Sequence, residues 1–262
     1  MMIHDYHLHA QFSKDSDATI EDYCNYACKL GVPEIAVTEH LTLYEKDKNY
    51  TEFNYRSFIN EIERCSLLFK GRVAVKAGIE IDYHPHLEED LKELISEWDK
   101  LDFVIGSIHY VNGKSVINNC LDKTEVDSLI SDYFLVMEEL VSSGICDVVG
   151  HFDVFRRSMI EKFEVDRYLS VLKKVLYKVA ECNMAIEVNT SGFHRGLNDI
   201  FPTGKVLKLF KDFGGKYITI GSDAHHVWEL AREQTKAIAE LRTAGFNQIT
   251  CFKGRKPYLV SF

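Results

Sequence analysis

The sequence predicts an α/β protein, a single (β/α) barrel that is TIM-like but distorted, with seven parallel strands rather than eight. Short β-rich runs alternate about seven times with longer segments of helical periodicity, as βα units around a parallel sheet do. The 262 residues suffice for one such barrel. An open dinucleotide-binding sheet is disfavoured, because the first strand continues into DYHLHAQFSKDS without a glycine-rich turn for a dinucleotide phosphate.

The predicted elements follow one another in regular order along the chain. The strand candidates are residues 3–9, 34–39, 73–81, 103–109, 147–151, 185–189 and 217–222. Amphipathic segments predict helices over residues 20–30 (closed by Gly31), 55–69, 87–98, 125–141, 165–182 and 227–244. An eighth, weaker strand candidate lies around residues 249–252 or 258–260. Only four prolines, 15 scattered glycines and no long polar linker interrupt this pattern, so we expect residues 1–262 to form one domain.

Composition narrows the functional classes. The chain is 46% hydrophobic and 27% charged, as is ordinary for a globular protein. It has neither an apolar run of transmembrane length nor a basic and apolar N-terminal signal, so no membrane association is expected and a cytoplasmic location is predicted. The net charge of -9 argues against a general nucleic-acid binder, which needs clustered Lys and Arg. The oligomeric state is left open.

The cysteines predict buried, reduced thiols rather than a structural zinc site. They are odd in number and scattered: Cys24, Cys28, Cys65, Cys120, Cys146, Cys182 and Cys251. Cys24 and Cys28 would be neighbours on a helix, but no second pair at zinc-ribbon spacing accompanies them.

Polar side chains of metal-ligand type end every predicted strand. In chain order they are His7 and His9, Glu39 and His40, Glu80 and Asp82, His109, His151 and Asp153, Glu187 and Asn189, and Asp223 and His225. In a barrel these ends share one mouth, where active sites are built. One strand-end histidine is more often a hydrogen-bonded rim residue, but six of the eleven histidines converge here with carboxylates. Bound cations would relieve the repulsion among those carboxylates, and imidazole with carboxylate suits Zn, Fe or Mn.

The ordered set of motifs resembles the polymerase and histidinol phosphatase (PHP) family. The chain has HxH after the first strand, TEH after the second, a Glu after the third, SIH after the fourth, GHFD after the fifth and SDAH near the end. The resemblance covers nearly the whole chain, and the ordered set is far more specific than any one motif. Within the family, GIEIDY, GSIHY and VNTSG look most like the histidinol-phosphate phosphatases of histidine biosynthesis.

The resemblance implies two or three divalent metal ions. The residues implied for the first two sites are His7, His9, Glu80 and Asp223 for one ion, and Glu80 as a bridging carboxylate with His109 and His151 for the other. The third ion would fall to His40 and His225, with a ligand from the loop after the first strand. Many relatives have a histidine in that loop, whereas this chain offers Asp15, an acceptable hard ligand.

The resemblance implies metal-dependent hydrolysis of a small phosphomonoester, with L-histidinol phosphate converted to L-histidinol and phosphate as the expected reaction. Metal ions would neutralise the substrate charge and supply a bridging hydroxide that attacks phosphorus. Glu80 and Asp223 would be catalytic, with Asp223 or a neighbour protonating the leaving alkoxide and His194 and His226 as further candidates.

A phosphate also favours a guanidinium fork. Arg195, predicted to be catalytic and substrate-binding, and the adjacent Arg156 and Arg157 lie in loops on the predicted mouth. Ser191 is a candidate hydroxyl donor to the substrate.

Supporting roles are open for several acidic residues near the mouth. Asp5, Glu39 and Asp153 either fix the tautomer of a ligating imidazole or lie solvated on the rim. Glu187 either points near the mouth or forms a salt bridge between strands.

Three alternatives remain. Another PHP phosphoesterase could act on nucleotides, a DNA 3′ end or phosphotyrosine, although the acidic balance counts against DNA. An amidohydrolase also opens with HxH, but it typically bridges its metals with a carboxylated lysine, and no strand-end lysine appears. A non-catalytic metal-binding barrel is disfavoured because structural sites close their coordination shell.

Overall fold

A seven-stranded parallel sheet, nearly closed into a barrel, forms the centre of the computed structural model, which describes residues 4–117, 123–159 and 163–262. Its strands are, in spatial order, β1 (His4–Asp5), β2 (Glu34–Leu41), β3 (Ala74–Asp82), β4 (Phe103–Ser107), β7 (Val148–Val149), β8 (Ala185–Asn189) and β9 (Ile218–Gly221). All neighbouring pairs are parallel. The predicted fold class is confirmed. Ile3 and Cys120, which the sequence analysis included, lie outside the described residues.

The first and last barrel strands meet through the segment that follows β1. The backbone N–H of Tyr6 donates to the Ile220 carbonyl at 2.9 Å, and the N–H of Asp223 donates to the His7 carbonyl at 2.9 Å. Leu8 forms a parallel bridge with Ala224. Because these bonds join the two edges of the sheet, the segment that carries both histidines is held at the closure of the barrel.

Helices cover the outside of the sheet. They are α1 (Ile20–Leu30), α2 (Tyr55–Leu68), α3 (Glu88–Ser96), α4 (Lys123–Ser143), α5 (Leu169–Glu181), α6 (Gly204–Asp212) and α7 (Gln234–Thr243). The bounds predicted for α1 agree with the structure: Thr19 caps its start by accepting from the Asp22 N–H, and Gly31 ends it in the left-handed region at φ 71°. Among the helices of the described segments, none is both long and apolar enough to span a bilayer.

The sequence analysis missed α6 and merged short turns into longer helices. The segment of α6 buries Val206, Leu207 and Phe210, and Thr203 caps it by accepting from the Val206 N–H. The predicted helices over residues 165–182 and 227–244 begin with 3₁₀ turns at 165–168 and 227–229, which precede α5 and α7. The predicted helix over residues 87–98 starts at the last residue of a 3₁₀ turn at 85–87, which precedes α3.

The eighth strand candidate belongs to a separate antiparallel hairpin. Both alternatives for it are strands, β10 (Gln248–Lys253) and β11 (Lys256–Ser261), and they pair with each other. A second small hairpin, β5 (Tyr110–Val111) with β6 (Lys114–Ser115), follows β4.

Residue parity along each strand separates the inside of the barrel from the helix-covered outside. Ile35 and Val37 of β2 join the large cluster under the helices. Ala36 joins a smaller inner cluster whose buried members are Tyr6, Ala36, Phe103, Ile105, Val148, Ala185, Cys251 and Phe252. Phe252 of the terminal hairpin stacks on Phe103 of β4 with ring centroids 5.3 Å apart. The hairpin thus contributes to the apolar interior below the mouth.

We expect Phe103→Ala to destabilise the protein by about 3–5 kcal/mol, because it opens a cavity in this inner cluster and removes the stacking partner of Phe252. Urea denaturation measures the change. Leu67→Ala is the control, since the Leu67 side chain is 75% exposed and its truncation should change stability by less than about 0.5 kcal/mol. Equal effects of the two substitutions would contradict an apolar interior built on Phe103.

Candidate metal centre

The structure brings the predicted ligand side chains together where the barrel strands end. They are His7, His9, Asp15, His40, Glu80, His109, His151, Asp223 and His225, and every one of them lies within 4 Å of another member of the set. His40 and Glu80 are register partners at the ends of β2 and β3. The direction of parallel strands therefore accounts for the convergence.

Glu80 lies between two groups of histidines. Its Oε2 is 2.9 Å from His40 Nδ1, 3.4 Å from His7 Nε2 and 3.5 Å from His9 Nε2. Its Oε1 is 3.0 Å from His151 Nε2 and accepts a 2.6 Å hydrogen bond from the Ser107 hydroxyl. The carboxylate is 2% exposed, so its two oxygens face two different sets of nitrogen ligands inside the protein.

Three groups at the mouth have the spacing of metal ligands. They are His7, His9 and Asp223; Glu80, His109 and His151; and His9, His40 and His225, with the ligand atoms of each group lying within 4.8 Å of one another.

Asp15 lies against the third group. Its Oδ1 is 3.5 Å from His40 Nε2 and its Oδ2 is 3.5 Å from His225 Nε2. The structure thus brings Asp15 to the position at which the sequence analysis expects it, and it places His9 beside that position as well.

Carboxylates and imidazoles of this centre pair with one another, and this pairing shifts their pKa values against the effect of burial. Burial disfavours the charge on Glu80, yet His7, His151 and His40 hold its pKa well below the usual range. Burial likewise opposes the charge on His7, but Glu187 and Glu80 raise its pKa. Carboxylates are therefore ionised at the mouth at neutral pH, as metal ligands must be.

Imidazole nitrogens face one another without an acceptor between them. His7 Nε2 lies 3.1 Å from His9 Nε2, and His109 Nε2 lies 3.3 Å from His151 Nε2. Burial, with the nearby His40 and His225, lowers the pKa of His9, so a proton on the His9 ring is disfavoured. Imidazole nitrogens that converge beside carboxylates, with no acceptor between the rings, fit divalent cations, and the donor set suits Zn, Mn or Fe.

Glu187, whose role the sequence left open, orients His7. Its Oε1 accepts a 2.6 Å hydrogen bond from His7 Nδ1, and its Oε2 accepts a 2.7 Å bond from the His151 backbone N–H. Gly221 makes this approach possible: a Cβ there would lie 2.3 Å from Glu187 Oε1 and 2.4 Å from His7 Cβ. With Nδ1 committed to Glu187, the Nε2 atom of His7 faces the metal-ligand groups.

The Asp82 carboxylate supports histidines but is not itself one of the nine predicted ligands. Asp82 lies 3.3 Å from His109 Nδ1 and 2.9 Å from His84 Nε2, and these pairings lower the pKa of Asp82 to about 2 although burial opposes them.

Glu39 acts on His9 through Ser13. Its Oε2 accepts a 2.5 Å bond from the Ser13 hydroxyl, which lies 3.3 Å from His9 Nδ1. Burial raises the pKa of Glu39 to about 7. The sequence offered Glu39 as a rim or supporting residue, but it contained no signal for Ser13.

Asp5 and Asp153 lie away from the imidazole nitrogens. The Asp5 carboxylate accepts from the backbone N–H groups of Ser222 and Ala231, and so fixes the backbone around Asp223. Asp223 itself has a left-handed backbone with φ 56°, a strained conformation of the kind that occurs at functional sites.

Arg157 and Arg195 face the mouth across a cavity of about 240 Å³, which His109, His151 and Asp223 also line. Burial lowers the pKa of the Arg157 guanidinium, and the nearby charge of Arg195 lowers it further, while Asp223 opposes the change. Two cations near each other beside a cavity form a suitable environment for an anion.

Arg156 and Ser191, which the sequence offered for substrate binding, bond to other residues and do not reach the cavity. Arg156 is buried in an ion-pair network with Asp153 and Asp199, and it donates to the Ile200 carbonyl at 2.8 Å. The Ser191 hydroxyl donates to Asn189 Oδ1 at 2.6 Å. Neither residue lines the cavity, so the structure gives both a role in shaping the rim loops.

A comparison with family models gives a match to one family. The PHP domain model matches residues 5–191, which contain His7, His9, His40, Glu80, His109 and His151. The chain belongs to the PHP domain family. The predicted family is thereby confirmed, and the match spans more than two thirds of the chain.

Several similar proteins are named histidinol-phosphatase, and others are named only as probable phosphatases. The chain is 28% identical to a histidinol-phosphatase of Lactococcus lactis, with 96% of this chain and 95% of that protein covered. It is 26% identical to a probable histidinol-phosphatase of Deinococcus radiodurans, with 96% and 97% covered. A crystal structure of histidinol phosphate phosphatase from Lactococcus lactis, complexed with Zn, L-histidinol and phosphate, superposes with a TM-score of 0.87 at 27% identity and 98% coverage of both chains.

We expect Glu187→Gln to weaken metal binding at the mouth by roughly tenfold or more while the fold is retained, because the charge that orients and polarises His7 is lost. Competition with a chromogenic chelator measures the affinity. Glu89→Gln is the matched control, since the Glu89 side chain is 88% exposed. If the chelator removes metal from both variants at the same concentration, Glu187 does not support a ligand.

Proposed function

We propose that this chain hydrolyses L-histidinol phosphate to L-histidinol and phosphate in histidine biosynthesis, as a metal-dependent phosphomonoesterase. The observation that carries the proposal is the position of Glu80, between two groups of histidines and below a cavity lined by Arg157 and Arg195. The relatives named histidinol-phosphatase support it, since each is covered over nearly its whole length. The related crystal structure contains Zn, L-histidinol and phosphate.

Two or three divalent ions are proposed at the mouth. The proposed ligands are His7, His9, Glu80 and Asp223 for one ion, Glu80, His109 and His151 for a second, and Asp15, His40 and His225 for a third. When bound, such ions neutralise phosphate charge and supply hydroxide from water near neutral pH. Glu80 would bridge the first two sites through its separate oxygens.

The chain's own groups would bind and orient the phosphomonoester. Arg157 and Arg195 would donate hydrogen bonds to the phosphate oxygens, because a guanidinium carries its N–H donors in the planar arrangement that suits phosphate. The cavity of about 240 Å³ suits a small substrate, because drug-sized ligands occupy roughly 300–1,000 Å³.

Asp223 is proposed to act on the leaving group. His9, His7, His225 and Arg195 hold its pKa well below the usual range although it is buried. It is therefore an anion in the free protein. It would first accept the proton that water loses when hydroxide forms, and would then pass this proton to the leaving alkoxide. Its position on the cavity wall, next to Arg195, places it beside the expected phosphate.

We expect purified protein to contain Zn, Mn or Fe, and to release phosphate from L-histidinol phosphate faster than from nucleoside monophosphates or phosphotyrosine. Metal analysis and a phosphate-release assay on the same preparation test this. Removal of the metal by a chelator should abolish turnover, and added Zn or Mn should restore it. Faster hydrolysis of nucleotides would refute the proposed substrate, and inactivity after addition of either metal would refute the mechanism.

Glu80→Gln should remove two ions per chain at once and lower kcat by more than about 10²-fold, because the shared carboxylate is lost from both proposed sites. Elemental analysis after gel filtration gives the stoichiometry. Asp15→Asn is the comparison: it should affect one ion only, since Asp15 contacts only His40 and His225 among the proposed ligands. Loss of a single ion from Glu80→Gln would mean that Glu80 is not a bridge.

A further inference from the structure

A second group of metal-ligand side chains lies at the opposite end of the barrel from the mouth. His4 begins β1, Glu34 begins β2, and the two are register partners. Cys251 reaches them from β10 of the terminal hairpin. His4 Nδ1 is 3.0 Å from Cys251 Sγ and 3.6 Å from Glu34 Oε1. We call these three residues the floor triad.

We propose that the floor triad binds a structural divalent ion of the zinc type, separate from the ions of the mouth. Nitrogen, thiolate sulfur and carboxylate oxygen are the ligands that zinc takes in proteins. All three ligand atoms lie within 4.8 Å of one another, and all three residues are buried. With bonds of about 2.0–2.3 Å, tetrahedral ligand atoms lie about 3.5 Å apart. The distances from His4 Nδ1 to Cys251 Sγ and to Glu34 Oε1, 3.0 and 3.6 Å, lie near that value.

The protonation states at the floor are compatible with this ion. Burial lowers the pKa of His4, which leaves a neutral imidazole with a lone pair at neutral pH. Burial raises the pKa of Cys251 to about 12, so its free thiol is protonated. Binding would form the metal–sulfur bond and release the thiol proton to solvent, with no change in oxidation state.

Glu34 turns one of its two oxygens toward the rest of the floor triad. Lys76 Nζ lies 3.8 Å from Glu34 Oε2, whereas Oε1 faces His4 and accepts from the Tyr6 hydroxyl. The Tyr258 hydroxyl, 3.4 Å from Oε1, or a water molecule would fill the fourth position. Tyr258 is 40% exposed, and His4 and Glu34 are 7% and 9% exposed, so the triad lies close to the surface.

Such an ion would join segments that are remote in sequence. His4 and Cys251 are 247 residues apart, and the terminal hairpin is paired only with itself in the described sheets. Coordination would therefore fix the hairpin to the first two barrel strands, and its binding free energy would add to folding stability.

Cobalt substitution separates the two ends of the barrel, because the proposed ligands at the mouth include no cysteine. The protein is stripped of metal, reloaded with excess Co²⁺ and desalted, and the near-ultraviolet absorption of thiolate-to-cobalt charge transfer is recorded. We expect this band in the wild type and its loss in Cys251→Ser, together with one bound ion fewer per chain. Hydrolysis of L-histidinol phosphate should be unchanged, so this test does not depend on the proposed function.

Cys146→Ser is the matched control, since Cys146 is also a buried thiol but belongs to the large cluster under the helices. It should keep the band. Glu34→Gln, which preserves size, should lower the affinity of the band-forming site at least tenfold, and circular dichroism checks that each variant is folded. A wild-type protein that binds Co²⁺ without a charge-transfer band overturns the proposal whatever the variants do. A band that survives Cys251→Ser also overturns it.

Discussion

The contact of the buried Glu80 carboxylate with histidines from several strands is the interaction on which the mouth depends. One carboxylate at 2% exposure would be costly alone, and so would the histidines gathered around it. Together they keep Glu80 ionised against burial. The segment after β1 and the ends of β2 and β3 must therefore hold a fixed register, because a shift of one residue would turn Glu80 toward the helices.

The interior of the barrel changes from apolar side chains to polar side chains toward the mouth. Below the mouth, Phe103, Phe252 and their neighbours form a layer of buried apolar side chains. Above it, the same strands present Ser107, Glu187 and Gly221, a small hydroxyl, a carboxylate and an absent side chain. These residues let Glu80 and His7 approach their partners closely. The apolar side chains thus pack the strands together, and the polar side chains orient the ligands through hydrogen bonds.

The sequence could predict that these side chains converge, because strand direction and parity are local properties. His7, Glu80, His109 and His151 each follow a recognisable apolar run, and a parallel barrel brings such ends together. The contacts of Glu187 with His7, and of Ser13 with His9, depend on how separate segments approach, which no local pattern encodes. The helix α6 was missed because only nine residues carry its apolar face, and the terminal strands were assigned no partner because antiparallel pairing outside the barrel leaves no βα signal.

The two ends of the barrel differ in ways that suit different roles for a metal. The mouth has imidazole and carboxylate ligands beside a cavity and two arginines, so coordination positions can remain open to water and substrate. The floor has a thiol among its three ligands and is packed against aromatic side chains, an arrangement that favours a softer and more permanently bound ion. Parallel strands give both ends their character, since each strand begins at the floor and ends at the mouth. A metal at the floor would therefore add to the stability of the first two barrel strands and the terminal hairpin, while the chemistry at the mouth would depend on the ligands around Glu80.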